Sequence, residues 1–499
     1  MAHTRRAFIT TAAAAGSLVI LSPEEVLAVL QGGVYVRQNV NTLTQTSPDI
    51  VAYKKGIKAM IGLASTNPLN WNYWANTHGI GPTPPALSGT HPTWNTCQHG
   101  GWWFLPWHRM YLAYFERTIR KLSATPSFSL PFWDYTAGAS TNPNADNFYP
   151  ALALPLIFRK PNTAATNPLF IPQRGNNLNS LNPVNTMPPG TESSSVAMAT
   201  LNFTGPTGTA NSFGSQTLSA PNHGASPHGR LESSPHDSVH GAIGGYMGSF
   251  GTAARDPIFW CHHANIDRLW NFWFTLGGGR KDPNSSAWCN QLFQFYNENG
   301  TLVGVRVRDI INAQAQLNYR YAGEPPQVTQ TCPATIVALP PVFKLAERTL
   351  ALREQTQTLG DQPVSVAMRI ASAPMRDRMR AAAADATKTL VLRIEGIHAP
   401  QHPGVVWEVY VGLGANERPD PKGSKFVGIF STFGAEHAGG EGHTVAFIID
   451  RATADALKDT KGDTMAITFV PRGSFVKGEP QPVRVLAPVT FTRIRVVEE

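Results

Sequence analysis

Cysteine, charge and long apolar runs are all scarce in this sequence, and each scarcity removes a class of protein. Four cysteines in 499 residues cannot form the disulfide framework that holds small secreted folds together. Only 15% of the residues are charged, and the formal excess of +8 is spread without a Lys/Arg block or a nucleic-acid-binding motif, so no nucleic-acid partner is expected. Beyond the N-terminus no run reaches the ~18 apolar residues of a membrane-spanning helix, and no internal repeat marks a solenoid. What remains is 42% hydrophobic and long enough for two or three domains with large buried cores.

The N-terminus carries a processing signal. Thr4-Arg5-Arg6-Ala7-Phe8-Ile9 precedes a modest apolar run, Ala12 to Leu21, and Val26-Leu27-Ala28 offers a cleavage point; this is the arrangement of a twin-arginine export signal over residues 1–28. This route exports proteins in the folded state, so a periplasmic or secreted protein free of the membrane is expected. Over 29–334 the periodicity predicts a mainly α domain. One helix opens at Ser47-Pro48 with Val51, Ile57, Met60 and Ile61 on one side, one opens at Pro106 and runs through Tyr114 and Phe115, and one holds His263 to Phe274. Between Ser140 and Ser234, Asn, Pro, Gly, Ser and Thr crowd together and predict long ordered loops. Residues 335–388, Pro-bounded and then Arg/Ala-rich from Met375 to Lys388, read as a linker. Alternating segments at 389–394, 405–411, 444–449, 465–470 and 483–497 predict an all-β sandwich over 389–499.

The chemistry lies in histidines. Pro235-His236-Asp237-Ser238-Val239-His240 puts two imidazoles on one helical face. Zinc hydrolases share this spacing but need Glu directly after the first His, where this chain has Asp237. Cys261-His262-His263-Ala264 supplies a third imidazole; consecutive residues point about 100° apart on a helix, so only one of the two can face the pair. Upstream, His78 in Trp74-Ala75-Asn76-Thr77-His78-Gly79, His99 in Cys97-Gln98-His99-Gly100-Gly101 and His108 in Phe104-Leu105-Pro106-Trp107-His108-Arg109 offer a second trio. His99 and His108 would lie on opposite faces of one helix, but Gly100, Gly101 and Pro106 interrupt it, so they converge only with His99 on a loop. Two sets of three neutral imidazoles, with no carboxylate or thiolate among them, suit copper cycling between two oxidation states better than zinc or magnesium.

These motifs, with Asp256-Pro257-Ile258-Phe259-Trp260 leading into Asn265-Ile266-Asp267-Arg268-Leu269-Trp270, resemble the two copper regions of type 3 copper proteins, the tyrosinase and polyphenol oxidase family. The resemblance implies a four-helix bundle holding two copper ions, one on His78, His99 and His108, the other on His236, His240 and His263 with His262 as a neighbour. It implies oxidation of o-diphenols to o-quinones by O2, with weaker o-hydroxylation of monophenols and small phenols as substrates. The rival readings are an oxygen carrier of the haemocyanin type, a strict catechol oxidase and a zinc hydrolase. Trp288 to Asp309 resembles the segment after the copper core in plant-type enzymes. Tyr319-Arg320-Tyr321 resembles the family's tyrosine motif, which packs against an N-terminal arginine, here Arg37. Trp407 to Val411 and Phe469 to Gly473 resemble its C-terminal sandwich domain, a region that covers the copper pocket in related enzymes.

By the same likeness Glu232 positions a water near the substrate, and Asp237 stands where good hydroxylases often carry Asn. Asp237→Asn is therefore expected to keep or raise the monophenol share. Phe250 would gate the copper bearing His236, and Cys97, two residues before His99, resembles the Cys-His thioether of fungal members. Asp267 is spaced either to orient an imidazole or to pair with an arginine. Cys261 reads as a small core residue, and Cys289 and Cys332 are able to pair. His91, His223, His228, His437 and His443 lack ligand-like surroundings and read as surface or loop imidazoles.

Overall fold

The computed structural model describes residues 33–81, 91–138, 149–333, 347–370, 372–385, 388–437, 442–456 and 463–499; the expected export signal lies outside them. The N-terminal part is helical. Helix α1 (Pro48–Gly62) starts on a proline that needs no amide partner there. In α2 (Trp71–His78) the Asn70 side chain accepts from the amides of Asn72 and Tyr73. The bundle is completed by α3 (Phe104–Ser123), the short α4 (Ser238–Ile243) and α5 (Ile258–Thr275). Helices α1 and α3 approach closely because Gly56 has no side chain, a Cβ there falling 2.8 Å from Ile119 Cδ1. Helix α3 packs on α5 through Phe115 and Trp260, whose rings stack 3.6 Å apart.

The inner face of α1 carries Ile50, Tyr53, Ile57 and Met60, whereas Val51 and Ile61, expected inside, are 51% and 53% exposed. Two apolar stripes compete on this helix, and contact with α3 selects the one led by Ile50. Helix α3 is buried almost all round, so its charges must be paired inside. Arg109 donates from Nε to Asp267 at 2.6 Å, and Glu116 accepts from Arg37 and Arg120. Arg37 arrives on a strand, Tyr35–Arg37, that pairs in parallel with Tyr319–Tyr321. Its guanidinium lies 3.6 Å above the Tyr319 ring and donates to the Tyr321 hydroxyl, as the tyrosine motif implied. Cys289 and Cys332 form a disulfide.

The C-terminal part is a single antiparallel sheet of eight strands: β1 (Arg348–Leu359), β2 (Val364–Ile370), β3 (Leu390–Ile397), β4 (Val406–Val411), β5 (Phe426–Phe430), β6 (His443–Ile449), β7 (Thr464–Arg472) and β8 (Val489–Glu498). Their order is β5-β4-β7-β2-β1-β8-β3-β6. The sheet curls until its edges meet, since a Cβ on Gly428 of β5 would stand 2.8 Å from Phe447 of β6. The two layers of the expected sandwich are halves of this one sheet, closed over Leu392, Trp407, Phe430, Ile467 and Phe491. Strands β1 and β2 and the helix α6 (Ala373–Ala384) occupy most of the segment read as a linker, so the described sheet domain begins at Arg348 rather than near 389. The polar run from Arg353 to Thr358 in β1, half exposed against a single partner strand, hid the alternation.

Candidate metal centre

Local devices place five of the six histidines of the two trios. His78 ends α2, and the next residue, Gly79, lies so close to the Phe250 carbonyl that any Cβ would collide with it. The same carbonyl accepts from His78 Nδ1 at 2.9 Å. His99 sits on a loop, as convergence with His108 required. Gly100 turns that loop at φ +65°, where a side chain would strike the carbonyl of Ala225. His108, in the first turn of α3, donates from Nδ1 to the Phe104 carbonyl at 2.8 Å. His240 donates from Nδ1 to Met247 at 2.8 Å, and His236 to Asp237 Oδ1 at 2.8 Å. Fixing Nδ1 in this way turns Nε2 toward the centre and sets the tautomer a metal needs.

The imidazole nitrogens converge. Within each of two groups, His78, His99 and His108 on one side and His236, His240, His262 and His263 on the other, the ligating atoms lie within 4.8 Å of one another. The groups face each other, with His108 and His263 stacked 4.4 Å apart. His99, His108 and His236 hold buried Nε2 atoms with no hydrogen-bond partner, a costly arrangement unless an ion takes them. Burial, reinforced by neighbouring imidazoles, holds His99, His236, His240 and His263 well below the usual histidine range, so they are neutral and able to bind metal. His262 lies beside the second trio, its ring 5.5 Å from His236.

The other residues singled out from sequence fall around this centre. Both carboxylate oxygens of Glu232 accept from the Gly100 amide, at 2.9 and 3.0 Å, and burial raises its pKa. Both Asp237 oxygens carry a hydrogen bond: Oδ1 takes His236 and Oδ2 takes His228 Nδ1 at 2.7 Å. Phe250 lies over the first trio rather than the second, stacked 3.9 Å from His99 at 22°. Cys97 Sγ is 3.3 Å from His99 Nδ1 and 3.1 Å from His223 Nδ1. Asp267 serves arginines, pairing with Arg109 and Arg37 and accepting from both tyrosine hydroxyls, and orients no imidazole.

Residues that sequence reading passed over complete the surroundings. His228 and His443, read as surface or loop residues, are each 3% exposed, with rings 5.0 Å apart across the domain seam. Burial opposes a charge on His228, but Asp237 and Glu232 outweigh it and raise its pKa to about 9. After β5 the chain dips into the centre. Phe433 lies flat on His240, ring centroids 4.0 Å apart and planes at 10°, and 4.5 Å from Phe250. Glu436 accepts from the Phe250 amide at 2.8 Å. No local motif marks Phe433, Glu436 or His443, because their contacts with the centre run between domains.

Two facing sets of buried, neutral imidazoles on a helical bundle define an all-histidine binuclear metal centre, the ligand set that suits copper. Comparison with known proteins agrees: residues 68–276 match the common central domain of tyrosinase, 282–331 the polyphenol oxidase middle domain, and 348–496 a domain family described as of unknown function. Tyrosinase HcTyr1 of Hahella sp. (strain CCB-MM4) is 32% identical over 467 residues, 87% of this chain and 95% of that protein. A chloroplastic polyphenol oxidase of Malus domestica is 28% identical over 452 residues, 85% of this chain and 73% of that one. The structure of latent apple tyrosinase superposes with a TM-score of 0.57 at 23% identity, covering 93% of this chain and 97% of that one, which is a likeness of fold. The chain belongs to the tyrosinase and polyphenol oxidase family and is an oxidoreductase.

Proposed function

We propose that the protein oxidises o-diphenols to o-quinones with O2 and hydroxylates monophenols more weakly, at two copper ions held by His78, His99 and His108 and by His236, His240 and His263. The observation that carries this reading is the convergence of the buried imidazole nitrogens in two facing groups. Copper bound there supplies electron transfer between phenol and O2. The chain's own residues do the rest. Backbone carbonyls fix the imidazoles, the aromatic walls from Phe104, Phe250 and Phe259 exclude water, and Glu232, held by Gly100, receives the phenol proton through a water. Parallel O2-uptake assays of the copper-loaded protein with catechol and a monophenol test the proposal; fully loaded protein, relieved of Phe433, that turned over neither would overturn it.

Three finer readings accompany it. The intact chain is latent, because Phe433 occupies the space over His240 where a phenol ring would lie. Cys97 and His99 form a thioether, Sγ bonding an imidazole carbon as the S–H and C–H bonds are lost and two electrons pass to O2; their contact supports it, and a cross-linked peptide in the mass spectrum tests it. Residues 1–28 direct twin-arginine export, supported by Thr4-Arg5-Arg6; Arg5→Lys with Arg6→Lys is expected to retain the protein in the cytoplasm.

A further inference from the structure

We propose that the seam between the two domains holds a second binding site, for a small aromatic carboxylate, built on Arg230. A cavity of about 160 Å³ lies between the helical domain and the curled sheet. It has room for a single ring, well under the ~300–1,000 Å³ of a drug-sized pocket. On the helical side Arg230 and His228 line it, 5% and 3% exposed. On the sheet side its walls are Phe426, Val445 and Phe447, and the exposed Val196 stands at its rim. The six imidazoles and Phe433 do not line it, and it adjoins the metal centre through His228 and Asp237, the partner of His236.

Nε and Nη2 of Arg230 and Nε2 of His228 are buried here and reach no hydrogen-bond partner. A desolvated guanidinium without its bonds is costly, and burial lowers the Arg230 pKa to about 9. The carboxylate whose field reaches it, Glu499, is engaged by Arg393 and forms no ion pair with Arg230 among the described residues. The acidic groups of the lining are also taken: Asp237 by two histidines, Asp450 by the amide of Thr453. A carboxylate would meet the guanidinium fork with the geometry it is built for, while the phenylalanine and valine walls take an aromatic ring. Because the walls come from both domains, such a ligand would bind the docked arrangement and stabilise it.

Calorimetric titration of sodium benzoate into the copper-free full chain tests the site without metal to compete for the ligand. Saturable binding and a Tm that rises with benzoate are expected. Acetate and benzyl alcohol, each lacking one half of the ligand, should bind about tenfold more weakly or worse. Arg230→Gln should lose about tenfold or more, the worth of a charge-assisted hydrogen bond. Val196→Phe, at an exposed position, fills the cavity with the guanidinium intact and should remove binding even if Arg230→Gln fails to fold. Absent benzoate binding, equal binding of acetate or benzyl alcohol, or binding unchanged in both variants would overturn the proposal.

Discussion

Phe433 and His240 come from different domains and lie face to face, 4.0 Å between ring centroids and 10° between planes. A flat ring resting on an imidazole of the centre stands where a phenol would have to stand. Phe433→Ala in the intact chain is therefore expected to raise the initial rate with a bulky catechol. Removing a ring that is 1% exposed should also cost about 3–5 kcal/mol of stability, read as a lower denaturation midpoint. Unchanged turnover in a variant that is destabilised as expected would show that the ring packs without blocking.

The copper assignment makes a separate prediction. Each ion would have three protein ligands, so His108→Ala or His240→Ala should drop the copper content from two per chain toward one and abolish oxidase activity. Metal analysis of the purified variants checks it; full copper and full activity in either would remove that residue from the centre.

How much of this was legible in the sequence depended on whether a residue's role is local. His236 and His240 announce themselves by spacing, and His99 by the glycines that break the chain after it. The central helices followed from periodicity, although the buried stripe of α1 was misplaced by one residue because Val51 is apolar yet exposed. Phe433, Glu436, His228 and His443 carry no signal of their own. Phe433, Glu436 and His443 reach the centre only because the curled sheet brings them there, and His228 is held within its own domain by Asp237. The same holds for β1 and β2, whose polar residues lie on a sheet that a linker reading left out.

A buried carboxylate away from the centre gives a pH prediction. Asp282, 5% exposed, accepts from Trp270 Nε1 through Oδ1, while Oδ2 has no partner, and burial raises its pKa from 3.8 to about 7. Between those values the folded state keeps a proton that the unfolded state releases, so stability falls as pH rises, by at most roughly 1.4 kcal/mol per unit. Below the window the contribution is complete, and above it the loss is constant. Asp282→Asn should flatten this part of the curve of denaturation midpoint against pH and stabilise the protein above pH 7. Parallel curves for variant and wild type would show that Asp282 does not titrate there.

On the proposed function the balance between monophenol and diphenol would turn on Glu232, and the structure alters what Asp237 can do about it. The expectation that Asn at 237 keeps or raises the monophenol share took no account of the partners of Asp237, whose Oδ1 accepts from His236 and Oδ2 from His228. Asp237 instead holds His228 in its charged form, and that charge favours the ionised form of Glu232, whose pKa burial has raised. Two opposed effects follow from Asp237→Asn. Losing the Asp237 charge lowers the Glu232 pKa, and losing the proton on His228 raises it. The influence of His228 on Glu232 is the larger of the two, so the net shift is upward. A base must be ionised to act, so monophenol hydroxylation should rise with pH through the Glu232 pKa, and Asp237→Asn should move that rise to higher pH. At neutral pH the variant's monophenol to diphenol ratio should fall, recovering in alkali, whereas Glu232→Gln should lose the monophenol activity at every pH while retaining catechol oxidation. Rate profiles for both substrates from pH 5 to 9 decide the matter. A profile unmoved by Asp237→Asn would remove His228 from the relay, and a full monophenol rate in Glu232→Gln would remove Glu232 as the proton acceptor.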